Sequence, residues 1–114
     1  MSALTEEISV TTPDANAAYE QTAAQTQEAV NKAFADLPGD DRYTATARWL
    51  LINGALDAVD ARLKPLVPLI EADHDAMTDA AERASDANYD GDKAATARCV
   101  GAYLYVYRAA LDRR

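Results

Sequence analysis

Apolar residues recur every three or four positions through four stretches of this chain, and proline, glycine or aspartate separates each stretch from the next. That spacing predicts helices with a buried face. In the first stretch Tyr19, Ala23, Thr26, Val30, Ala33 and Leu37 form a seam widened by Phe34, while Gln21, Gln25, Glu28 and Lys32 turn away. Thr12-Pro13-Asp14 supplies its start signal: a hydroxyl cap, proline at the first helical position, then an acid at the positive end of the dipole. Leu37-Pro38-Gly39-Asp40 stops it.

The second helix is expected over residues 41–63. Its main face is Ala45, Trp49, Ile52, Leu56, Val59 and Leu63, and Ala47, Leu50, Gly54, Ala58 and Ala61 make another stripe behind. Glycine inside a helix costs about 1 kcal/mol against alanine, so Gly54 predicts close approach of a neighbouring helix. Lys64-Pro65 ends this helix, and a third begins near Pro68, with Leu66, Ile70, Met77, Ala81 and Ala84 as its stripe. Residues 85–92, SDANYDGD, read as a turn.

The fourth helix covers residues 92–112. Ala97, Val100, Leu104, Tyr107 and Leu111 fall on one face, Cys99, Ala102, Val106 and Ala109 on the opposite one, and Tyr103 and Tyr105 between them. The second and fourth helices are thus apolar on two sides, whereas the first and third are amphipathic. The order predicts an all-α fold: an antiparallel four-helix bundle made of two αα-hairpins over residues 13–114, with residues 1–12 as a short N-terminal arm. Ala45-Thr46-Ala47-Arg48 returns as Ala95-Thr96-Ala97-Arg98, a faint mark of duplication.

Composition narrows the function. The chain has 114 residues, enough for one domain that buries roughly two-thirds of its unfolded surface without disulfides. With 19 acidic against 11 basic residues its net charge is −8, the wrong sign for non-specific binding to nucleic acid or an anionic membrane. The single cysteine, Cys99, allows no internal disulfide, and its apolar helical face suits packing better than nucleophilic chemistry. The N-terminus lacks the basic and apolar segments of a signal peptide, and no apolar run approaches a membrane span. A cytoplasmic protein, or one inside an assembled particle, is the expectation.

Candidate chemistry is sparse. A single histidine, His74, has to serve every nucleophilic scheme, and no phosphate-binding loop exists. Arg48 and Asp73 stand at the edges of core-facing stripes and predict a buried ion pair. Asp86, Asn88 and Asp90 with Gly91 resemble the opening of an EF-hand calcium loop, yet Lys93, Ala94 and Ala97 occupy its later positions and the closing glutamate is missing. The stretch is therefore read as a capping turn. Glu71 and His74 resemble the E-x-x-H pair of ferritin-like di-iron proteins; that resemblance implies a dimer, with Glu20 or Glu28 as further ligands.

No catalytic residue, cofactor or resident metal is expected from this inventory. A compact bundle cannot cover both apolar sides of two helices, so the leading expectation is a self-associating or partner-docked structural or adaptor subunit, such as a phage, virion or bacterial complex component. Its interface would hold Leu50, Gly54, Cys99, Ala102, Tyr103, Tyr105 and Val106. Two alternatives stand beside it: an acidic inhibitor that fills a basic nucleic-acid-binding groove, and a dimeric di-iron protein.

Overall fold

The computed structural model describes residues 14–113, which form four helices and no strand. Helix α1 spans Ala15–Asp36, α2 Arg42–Leu63, α3 Glu71–Tyr89 and α4 Lys93–Asp112. Three of them open on an aspartate whose carboxylate accepts a first-turn backbone N–H: Asp14 from Ala17, Asp41 from Thr44 and Asp92 from Ala95. Asp14 therefore caps α1, the place expected of Thr12; Thr12, Pro13 and the proposed arm lie outside the described residues.

Helices α1 and α2 pair, α3 and α4 pair, and the hairpins close into an antiparallel ring in which α4 packs on α1 and α3 on α2. The α2–α3 side is the loosest of the four. The core runs through Val30, Ala33 and Phe34, through Ile52, Leu56, Val59 and Leu63, and through Val100, Leu104, Tyr107 and Leu111. Met77, Ala80 and Ala84 fill it from α3. The fold is the expected all-α bundle.

Several details differ from the sequence reading. Helix α3 starts at Glu71, three residues after Pro68, because residues 64–67 continue the last turn of α2 and bury Val67. The extended Ile70 then donates its N–H to the Asp73 carboxylate, which fixes the first turn. Leu66 is only partly buried, and Ile70 is 56% exposed, so neither belongs to the α3 stripe. That stripe is Asp73, Met77, Ala80, Ala84, Ala87 and Asn88.

At its other end α3 runs through Ser85 to Tyr89, where composition predicted a turn. Ala84, Ala87 and Asn88 keep the helical spacing into the core, and burial outweighs the weak helix propensity of Ser, Asp and Asn. The turn is confined to residues 90–92. Gly91 makes it with φ +72°, which a β-carbon would strain.

Gly54 needs no close approach: a β-carbon there would meet nothing within 4 Å. The helices also do not sort simply into inner and outer. Helix α4 has Val106 and Ala110 covered, whereas none of the described residues covers the back of α2.

Candidate functional site

Helix α2 carries the most unusual surface. Tyr43, Ala47, Leu50, Gly54, Ala58 and Ala61 follow one another at helical spacing on the side away from the core, with Leu51 at the margin. Tyr43 is 89% exposed, Leu50 67% and Leu51 54%. A shallow depression of about 320 Å³ between α1 and α2, lined by Gln25, Thr26, Ala29, Ala55, Ala58 and Arg62, adjoins this stripe. Asp57 is its nearest acid, at the edge.

The seven residues expected at an interface separate in the fold. Leu50 and Gly54 lie on the uncovered α2 stripe. Ala102 and Tyr105 are exposed on α4, which sits diagonally across the ring, so the two pairs look out on different sides. Cys99 is half-buried against the core. Tyr103 and Val106 are buried, because α3 covers the side of α4 on which they lie. Tyr43 and Leu51 complete the α2 surface and were missed; Tyr43 continues the stripe four residues before Ala47, which was the available signal.

On its inward side α2 places two charges, Arg48 and Asp60, with no salt-bridge partner among the described residues. Arg48 is fully buried and, contrary to the expected ion pair, does not meet Asp73. Its Nε donates to Asn88 Oδ1 at 2.5 Å and Nη2 to the Asn88 carbonyl at 2.7 Å. Nη1 donates to the carbonyls of Leu37 and Gly39 at 2.6 and 2.7 Å. The Phe34 ring lies 4.1 Å from the guanidinium carbon, a cation–π contact. Burial lowers the Arg48 pKa, while the nearby charges of Asp40 and Asp41 oppose that shift. Asn88 also donates to the Ala45 carbonyl at 2.9 Å. Arg98, the counterpart of Arg48 in the repeated tetrapeptide, is exposed.

Toward the other end, Asp60 accepts from two phenols, Tyr103 at 2.7 Å and Tyr107 at 2.6 Å. Burial raises both tyrosine pKa values, and the hydrogen bonds to Asp60 and its negative charge add to the rise. Asp60 and Tyr103 form one wall of a groove of about 320 Å³ along the loose α2–α3 side, with Lys64, His74, Met77, Thr78, Ala81 and Glu82 around it. Tyr103, expected between the two faces of α4, thus lies on the same side as Tyr107; their four-residue spacing was the available signal.

The remaining candidates are dispersed. Glu71 and His74 are both exposed on the first turn of α3, and Glu20 and Glu28 are exposed on α1. The E-x-x-H pair thus does not project into a bundle core, as a di-iron site needs. Asp86 and Asn88 are helical, Asp90 is the C-cap of α3, and the Asn88 side chain is committed to Arg48 and Ala45. No calcium loop exists at that position. Asp73 instead pairs with Arg113, Oδ2 to Nη2 at 2.6 Å; those hydrogen bonds and the Ile70 N–H hold its carboxyl below the usual range. Among the described residues no group of three or more His, Cys, Asp or Glu side chains is gathered for a metal ion, and no helix is long and apolar enough to cross a membrane.

The outer side of α3 is the opposite of the α2 stripe. Glu71, Asp75, Asp79, Glu82 and Asp86 recur at intervals of four, four, three and four residues, all exposed, over about 22 Å of helix. Arg83 answers only Asp79, at 3.0 Å. Comparison with protein families, with curated proteins and with solved structures found no match.

Proposed function

We propose that this protein is a non-enzymatic adaptor or structural subunit that associates through the outer face of α2. The observation that carries the reading is the uncovered stripe of Tyr43, Leu50, Leu51 and Gly54, contiguous apolar surface on a helix whose other side already fills the core. Contiguous exposed apolar surface marks association sites. The test is photo-crosslinking in the cells that make the protein, with the reactive group at position 50 or at position 75 as the α3 control. Adducts at position 50 and none at position 75 are expected; adducts absent from position 50 overturn the reading.

The acidic stripe of α3 supports a second reading, an inhibitor that lays carboxylates into a basic groove made for nucleic acid. Helical spacing already turns Asp75, Asp79, Glu82 and Asp86 to water, and Glu71 extends them into one exposed line of five. Crosslinking confined to position 75 favours this reading.

A further inference from the structure

We propose that the occupant of the α2 face is a second copy of this chain, packed antiparallel across a two-fold axis near Leu50 and Leu51. This rests on the reading of α2 as the interaction face and names its partner. Three observations carry it.

The first is charge. A chain of net charge −8 repels its own copy, and that repulsion is strongest where carboxylates line α3. The α2 stripe has only Asp57 at its margin. On this face two copies meet fewer like charges than on the acidic outer face of α3.

The second is the order of charges at the stripe's ends. Asp40, Asp41 and Arg42 precede the stripe, Asp57 flanks its second half, and Arg62 and Lys64 follow it, all exposed. In an antiparallel pair centred between Leu50 and Leu51, Arg62 comes to the end that holds Asp40 and Asp41 of the second copy, and Arg42 comes to Asp57. A parallel pair sets like against like.

The third is shape. The same register puts Ala47 opposite Gly54 of the second copy and Tyr43 opposite Ala58, a small residue facing each approach. Gly54 has open space where its side chain would be, so nothing among the described residues requires glycine there. A helix brought close from outside gives its absence of side chain a use.

The test is native mass by light scattering and sedimentation from micromolar to millimolar concentration, on wild type, Gly54→Leu and a Leu50→Cys variant in a Cys99→Ser background. Gly54→Leu has room in the isolated chain and improves helix propensity, so its folded spectrum and melting serve as the internal control. A wild-type dimer is expected. Its dissociation constant should rise about tenfold or more in Gly54→Leu. Leu50→Cys should form an inter-chain disulfide under mild oxidation, where Asp75→Cys in the same background does not. A wild-type chain that is monomeric at every concentration overturns self-pairing alone, and position-50 crosslinking then still judges the α2 reading. A dimer indifferent to Gly54→Leu and not trapped by Leu50→Cys overturns pairing through α2, and position-50 crosslinking again judges the α2 reading.

Discussion

The two faces of α2 follow opposite rules. Its inward face mixes apolar side chains with two charges, and both are answered by hydrogen bonds with neutral groups: Arg48 donates to three carbonyls and an amide oxygen, and Asp60 accepts from two phenols. Its outward face has almost no charge and leaves leucine and tyrosine in water. Polarity therefore does not tell which side of this helix is inside. What tells is whether each polar atom has a partner, and among the described residues no buried side-chain nitrogen or oxygen lacks one.

The two inward charges also differ from each other. Arg48 is sealed: its four hydrogen bonds tie the α1–α2 connection to the end of α3, so one side chain holds both hairpins together. Removing it leaves the Leu37 and Gly39 carbonyls and the buried Asn88 amide oxygen without this donor, while the Asn88 carbonyl keeps the Gly91 N–H; each buried loss is about 1–3 kcal/mol. Arg48→Met should therefore destabilise the protein by about 3–5 kcal/mol, a large share of an ordinary domain's 5–15 kcal/mol. Urea unfolding followed by circular dichroism measures it. Asn88→Ala comes next, about 2–4 kcal/mol, because it strips the Nε–H of a buried guanidinium of its acceptor and removes the amide that donates to the Ala45 carbonyl.

Asp60 works at the margin of a groove, where water replaces lost partners, so its effects are smaller. Tyr107→Phe should cost about 1–2 kcal/mol. The same contacts predict a pH dependence. The folded pKa values of Tyr103 and Tyr107 stand above 10.0, so their stabilisation is complete below that pH and is lost as pH rises beyond it. Alkaline titration of tyrosinate absorbance should show these two ionising together with unfolding. Tyr107→Phe should weaken that alkaline dependence. Coincident ionisation of all six tyrosines near pH 10 in folded protein would remove the Asp60 contacts from the account.

Sequence periodicity was enough for the number of helices, the hairpin order and most of the core, because Val30, Ile52, Leu56, Val59, Val100 and Leu104 each obey the 3–4 spacing and have no polar atom to place. It failed at Ser85 to Tyr89, where a helix depends on Asn88 finding Arg48 on a distant segment. The Arg48–Asp73 expectation failed for the same reason: burial at a stripe's edge was visible, but the partner was set by how the hairpins dock. Of the exposed stripe on α2, Leu50 and Gly54 were legible from α2 having two apolar sides. Tyr103 and Val106 were misplaced because the same argument applied to α4 could not show that α3 covers it.

The smallest expected stability effect is the sharpest test of the comparison. Leu50 makes up much of the exposed surface on α2 yet contributes little to the core, so Leu50→Asp should change the unfolding free energy of the isolated chain by no more than about 0.5 kcal/mol. The same substitution puts a carboxylate at the centre of the face that association would bury and desolvate, so it should abolish dimer formation. A variant that unfolds like wild type but no longer associates separates the two faces cleanly: inside α2, charge is tolerated where hydrogen bonds are ready, and outside it a single charge is enough to keep a partner away. A loss of several kcal/mol from Leu50→Asp at a concentration where wild type is monomeric would instead make the outward stripe part of this chain's own core, and the division of α2 into two faces would fail.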